Sequence, residues 1–210
     1  VIEVQDFMPV LQAHDPDHQQ RLVRRVAAVR GRVPVATEIE VRHDYGASVA
    51  EPVAVENGVH IPDGHVDLML TSTHALAIEE GVVRAEVTLE DGEVARFVLE
   101  VVPKGEDPEP CAVDDTERLL DLTSAYWRGW LATSSYAGRW RSTVERSAIT
   151  LKLMCHEPTG GVIASPTTSL PEEIGGGRNW DYRYVWIRDA AFTLYGLLRL
   201  GFTDEAGAFT

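Results

Sequence analysis

Arg178-Asn179-Trp180-Asp181-Tyr182-Arg183-Tyr184-Val185-Trp186-Ile187-Arg188-Asp189 is the stretch on which the reading of this chain turns. Its twelve residues hold four aromatic rings, three arginines and two aspartates, and the glycine run Gly175 to Gly177 precedes it. On the C-terminal side, Ile187, Ala191, Leu194 and Leu198 recur at helical spacing, with Gly201 placed to end the helix. Asp181 or Asp189 marks the helix start. Upstream, Val162 to Tyr184 shows little helical pattern over more than 20 residues, and loops of that length inside compact domains are usually functional. Flat rings beside fixed charges suit a polyhydroxylated ligand. Its apolar faces stack on aromatic rings, and its hydroxyls bond to arginine and aspartate. Packing plus an N-terminal cap is the plainer reading of the same residues.

Working back from the loop, Glu157-Pro158-Thr159-Gly160-Gly161 stops a helix expected from about Arg139 to Cys155. Trp140, Val144, Ser147, Ala148, Leu151 and Met154 or Cys155 share one face of it, so Cys155 reads as a buried apolar residue. An earlier helix runs to about Leu131, capped by Asp114-Asp115-Thr116, with Leu119, Leu122, Tyr126, Trp130 and Thr133 as its stripe. Trp127 and Trp130 on it read as packing anchors. Beyond Gly201, Phe202 to Thr210 begins another element with Asp204-Glu205 in a helical first turn.

Before Pro110 the period changes from helical to alternating. Val33 to Tyr45 alternates, with Val33, Val35, Thr37, Ile39 and Val41 facing one way and Glu38, Glu40 and Arg42 the other, which is the pattern of a half-buried strand. Val1 to Val10, Val66 to Thr71, Ala75 to Ile78, Val82 to Leu89 and Val94 to Val102 read as further strands. Val53 to Ile61 reads as a hairpin turning at Asn57-Gly58, and Asp63-Gly64 and Asp91-Gly92 mark other turns. Arg21 to Arg30 fits helix or strand. Turn signals at this spacing indicate an antiparallel β-sandwich. Its acidic residues mostly sit at alternate outward positions and read as a solvated face. His14 and His18, in a polar stretch with no further ligands nearby, read as loop residues.

Composition divides the chain at the same place. Residues 1–110 hold 21 Asp and Glu against 9 Lys and Arg, residues 111–210 hold 12 against 10, and all five tryptophans lie in the second part. The proline-rich run Pro103-Lys104-Gly105-Glu106-Asp107-Pro108-Glu109-Pro110 discourages regular structure between them. The formal net charge of -14 argues against nucleic acid and against an anionic membrane surface. No apolar run approaches the ~20 residues of a membrane span. The first residues show no basic signal region, and the absence of an initiator Met leads us to expect residues upstream of Val1. Two cysteines, Cys111 and Cys155, fit free thiols in a reducing cytoplasm better than a disulfide framework, with one bridge left open.

The run from Pro166 through Thr167-Thr168-Ser169-Leu170-Pro171-Glu172-Glu173-Ile174-Gly175-Gly176 into Arg178-Asn179-Trp180-Asp181-Tyr182-Arg183-Tyr184 and Trp186-Ile187-Arg188-Asp189 resembles glycoside hydrolase family 15. That family contains glucoamylases, glucodextranases and trehalases. The resemblance implies a partial N-terminal β-sandwich over 1–104, a linker and linking helix over 105–135, and over 136–210 the start of an (α/α)6 barrel. It implies an inverting exo-acting α-glucosidase, acting on trehalose, maltose or an α-glucan, with trehalose slightly favoured. No cofactor or metal is expected, an oligomer is left open, and the two catalytic glutamates are expected in barrel segments outside this chain.

By the same resemblance, Arg188 and Asp189 match a pair that binds the outer hydroxyls of the terminal glucose. Tyr182 matches an aromatic lining that subsite, with Tyr184 and Trp186 as neighbouring aromatics. Glu172 and Glu173 make a poor catalytic pair, because adjacent side chains in extended chain point to opposite sides. Asp181 and Asp189 stand beside arginines, a setting that suits ion pairing better than proton donation. A non-catalytic sugar-binding or regulatory module is the alternative reading.

Overall fold

The structure, a computed structural model, describes residues 1–10, 20–43, 46–62, 66–106, 113–168 and 173–209. His14, His18, Tyr45, Asp63-Gly64, Asp107 to Cys111 and Ser169 to Glu172 lie outside the described residues. The chain divides into two compact units, Val1–Ala125 and Tyr126–Thr210.

The first unit is an antiparallel β-sandwich. Its strands are β1 (Ile2–Phe7), β2 (Arg21–Ala28), β3 (Val33–Ile39), β4 (Arg42–His43), β5 (Ser48–Val49), β6 (Val53–Val55), β7 (Gly58–Ile61), β8 (Asp67–Ser72), β9 (Ala77–Glu79), β10 (Val82–Leu89) and β11 (Val94–Val102). Among the described residues, one sheet has the order β1-β2-β11-β8-β7-β6, a second has β3-β10-β9, and β4 pairs with β5. Val26 and Ala28 of β2 and Ala95 and Phe97 of β11 pack against Ala85 and Leu89 of β10. Val59, Ile61 and Leu70 pack against Val83. The core therefore lies between the two sheets, and alternation supplies it: residues two apart on each strand point inward.

β2 is a strand, which settles the reading that the sequence left open. It lies between β1 and β11, and Val23, Val26, Ala27 and Ala28 are all buried, so both of its faces are covered. Strands covered on both faces lose the alternation that identifies them. The outer face is covered by the first turns of helix α1 (Thr116–Ala132), where Glu117 accepts from Arg25 at 2.8 Å and from Arg96 at 2.9 Å. Arg21 and Glu100, directly opposite across β2 and β11, form a buried ion pair at 2.7 Å. On the far sheet, Arg84 bridges Glu38 and Glu79, each at 2.9 Å, so part of the acidic surface is paired.

One turn lies a residue earlier than expected. Val55 pairs with Gly58, so the β6–β7 loop is Glu56-Asn57, and Asn57 takes the left-handed conformation with φ 63°. Gly58 is required for a different reason. A Cβ there would stand 2.5 Å from the Leu70 carbonyl oxygen on β8.

The second unit contains the end of α1, α2 (Arg141–Lys152), α3 (Ile187–Leu200) and α4 (Asp204–Phe209). Gly201 ends α3 with φ 96° as expected, and Ser135 donates its backbone N–H to the Leu200 carbonyl at 2.8 Å. Ala148, Leu197 and Phe202 form the core of this unit with Trp130, Leu131 and Leu151 around them. No helix among the described residues is long and apolar enough to cross a membrane.

Three expected stripes are corrected. α1 buries Thr116, Leu119 and Thr123, while Leu122 and Tyr126 are exposed. In α2, Ala148 is buried but Trp140 and Ser147 are exposed, and the helix ends at Lys152 rather than Cys155. α3 buries Ala190 and Leu197, not Ile187, Ala191 and Leu198. The cause in α3 is plain in its sequence. Ile187, Ala190, Ala191, Phe192, Leu194, Tyr195, Leu197 and Leu198 surround most of the helix, and a stripe that wide does not say which of its edges is covered.

Candidate functional site

Among the described residues, the loop before α3 forms no helix and no strand beyond isolated bridges, yet its backbone is held. Ala164 N–H donates to the Tyr184 carbonyl at 3.1 Å and Ser165 N–H to the Tyr182 carbonyl at 2.9 Å. Ile163 and Val185 form an antiparallel bridge, as do Cys155 and Val162. The segment after α2 therefore acts as a rail against which the main chain of Tyr182 to Val185 is held.

The end of this run is tied down by side chains. The Asp181 carboxylate accepts the Arg183 backbone N–H at 2.9 Å and its Nη2 at 2.7 Å, with Nε 3.0 Å from Oδ1. The indole Nε1–H of Trp186 donates to the Asp181 backbone oxygen at 3.3 Å. The rings of Tyr182 and Trp186 stack, with centroids 5.2 Å apart and planes within 18°. The Arg188 guanidinium carbon stands 5.7 Å from the centroid of the Trp186 ring, a cation–π distance.

Arg188 and Asp189 lie in the first turn of α3, where a carboxylate is favoured by the exposed backbone N–H groups. Arg188 Nη2 and Asp189 Oδ2 are 3.1 Å apart, and their side chains are 64% and 30% exposed. Both remain open to solvent. Four of the five sequence-predicted residues thus form one linked array: Tyr182 on Trp186, Trp186 beside Arg188, and Arg188 on Asp189. Asp181 and Asp189 each have their own arginine.

Tyr184 stands apart from this array. It is 68% exposed and lines a recess of about 440 Å³ together with Leu153, Met154, Cys155, His156 and Arg183. Cys155 sits half-buried in the wall of that recess, its thiol donating to the Leu151 carbonyl at 3.6 Å, and burial pushes the thiol above its usual range. His156 Nδ1 lies 2.9 Å from Thr159 Oγ1, in a turn closed by His156 N–H on the Gly161 carbonyl at 2.8 Å. Glu173 is exposed, and Glu172 lies outside the described residues. The Asp181–Arg183 clasp is the ion pairing that adjacent arginines lead one to expect of Asp181. Its signal was the two-residue spacing of opposite charges ahead of a tryptophan.

Residues 138–210 match the family described as glycosyl hydrolases family 15. The chain is 36% identical over 206 residues to a trehalase of Mycolicibacterium smegmatis and 35% identical over 204 residues to a trehalase of Mycobacterium tuberculosis. Each match covers 93% of this chain and 30% of the relative, so the chain spans under a third of the length of these curated relatives. A trehalase of Thermoplasma acidophilum is 52% identical over 90 residues, 43% of this chain and 16% of the relative. The chain is thus similar to trehalases over most of its length, and the loop–helix site lies within the part that matches glycosyl hydrolases family 15.

Proposed function

We propose that this chain supplies the terminal-glucose subsite of an inverting, exo-acting α-glucosidase whose substrate is trehalose. The observation that carries the reading is the exposed array Tyr182–Trp186–Arg188–Asp189 at the start of α3. A guanidinium and a carboxylate 3.1 Å apart offer donors and acceptors at the spacing of two neighbouring sugar hydroxyls, beside a flat ring that excludes water. Trehalose is favoured over maltose and longer α-glucans because the relatives matched over most of the chain carry the name trehalase.

Residues 136–210 are read as the opening of an (α/α)6 barrel. α3 presents Ile187, Phe192, Tyr195 and Leu198 to solvent, at 77%, 72%, 63% and 46% exposure, and an apolar face of that breadth calls for further helices against it. The chemistry is assigned to two glutamates on those further segments. One carboxylic acid protonates the leaving oxygen, and a carboxylate about 6.5–9.5 Å away on the opposite face activates water. The subsite residues accelerate this only through contacts that tighten as the ring flattens.

The test is assay of the full-length protein on trehalose, maltose and dextran, following the anomer released. Hydrolysis of trehalose with β-glucose as first product supports the reading. Arg188→Ala and Asp189→Asn are each expected to lower kcat/KM about 100-fold or more. Sugar binding with no hydrolysis by the full-length protein would favour a non-catalytic module instead.

A further inference from the structure

We propose that Asp181 and Arg183 are positioning residues: their ion pair locks the Trp186 indole, and through it sets Tyr182 and Arg188. The proposal rests on the sugar-subsite reading above for its functional consequence, but its geometry stands independently.

The backbone on one side of the array is fixed by the bonds from Ala164 and Ser165 to the Tyr184 and Tyr182 carbonyls. Those bonds hold the main chain and say nothing about where the rings point. The side-chain directions are set by a second group of contacts. Asp181 takes the Arg183 backbone N–H and its guanidinium on one carboxylate, which closes a tight turn over Asp181-Tyr182-Arg183. The turn presents the Asp181 backbone oxygen to the Trp186 indole at 3.3 Å. With its N–H held, the indole has a fixed plane, and that plane carries Tyr182 at 5.2 Å and the Arg188 guanidinium carbon at 5.7 Å. Trp186 is thus the keystone, and the clasp fixes the keystone.

Magnitudes place the effect on function rather than on stability. The clasp is 30% exposed at Asp181 and 40% at Arg183, and partly exposed ion pairs contribute little to global stability. Orientation is a different matter, since a misplacement of about 1 Å in a binding group can cost on the order of 100-fold in rate. A fork-shaped guanidinium fits the carboxylate with two bonds, whereas lysine offers only a point charge.

Two measurements decide it. In the 210-residue chain, near-ultraviolet circular dichroism reads the Tyr182–Trp186 stack. Tyr182→Leu defines the full loss of that signal, and Asp181→Asn and Trp186→Phe are expected to remove at least half of it with an unchanged thermal midpoint. In the full-length protein, Asp181→Asn and Arg183→Ala are expected to lower kcat for trehalose about 10- to 100-fold with a smaller change in KM, and Arg183→Lys to recover only part. A stack signal in Asp181→Asn equal to that of the parent overturns the proposal. So does a stack lost in Asp181→Asn with kcat unchanged. Should the parent protein cleave no α-glucoside, the function proposed above fails, and the dichroism alone then decides the clasp.

Discussion

Trp130 donates its indole N–H to Glu205 Oε1 at 2.9 Å. The same oxygen lies 2.8 Å from Lys152 Nζ, and the Trp130 ring stacks on Phe202 with centroids 3.9 Å apart. Glu205 is 5% exposed, so α1, α2 and α4 meet on one buried carboxylate. Replacing Glu205 by alanine strands the half-buried Lys152 ammonium and leaves the indole N–H without its acceptor. Removing one member of a buried pair costs about 3 kcal/mol or more. Urea denaturation followed by tryptophan fluorescence is expected to show that loss in the Tyr126–Thr210 unit.

The same carboxylate gives a pH dependence. Burial by itself would raise the Glu205 carboxyl, but the bonds from Lys152 and Trp130 outweigh it and hold the group below its ordinary value. Burial likewise works against the Lys152 ammonium, and Glu205 overcomes it and raises that group. A lowered carboxylate stabilises the fold fully above its ordinary value and loses that contribution as pH falls through the lowered one. Stability of this unit is therefore expected to fall as pH drops below about 4.5. Glu205→Gln should flatten that segment of the profile, measured as thermal midpoint against pH.

Gly160 offers a test of close packing. It has φ 68°, and a Cβ there would lie 1.8 Å from the Ala208 carbonyl oxygen of α4. Gly160→Ala combines backbone strain with a clash against main chain and is expected to cost about 3 kcal/mol. Gly175→Ala, at φ 75° with nothing within 4 Å, carries the strain alone and is expected to cost about 1 kcal/mol. Thermal denaturation of the two variants side by side measures the difference.

Much of the sandwich was legible before any coordinates. Val33 to Ile39 alternates as expected, although the strand stops there rather than running on to Tyr45, and Val82–Leu89 and Val94–Val102 match their expected bounds. Each alternation is local, and a strand with one wet face writes it directly into the sequence. β2 was ambiguous because neighbours cover both its faces. The Asn57 turn was displaced by one residue, since Asn and Gly both tolerate the left-handed region and local rules alone do not say which will use it.

The helices of the second unit were legible as helices and illegible as faces. Period 3.6 and Gly201 fixed α3 and its end, but Ile187, Phe192 and Tyr195 are as apolar as Ala190 and Leu197, so burial phase waited on the packing partners. Glu205 read as an ordinary acidic residue in a helical first turn. Its burial depends on Trp130 and Lys152, 75 and 53 positions away, and no local pattern encodes so distant a pairing.

For the candidate site, the residue types are on view in the sequence: rings, arginines and aspartates crowded before a helix, in a run resembling a known sugar hydrolase family. Sequence alone thus determined most of the elements, β2 excepted, and which side chains are available, because propensity, turn chemistry and alternation act between near neighbours. Tertiary structure alone decided which of those side chains meet. In the folded chain Tyr182, Trp186, Arg188 and Asp189 form one array while Tyr184 lines another recess. The reason is that contact depends on distances in space, which the chain sets only after its distant segments have closed on one another.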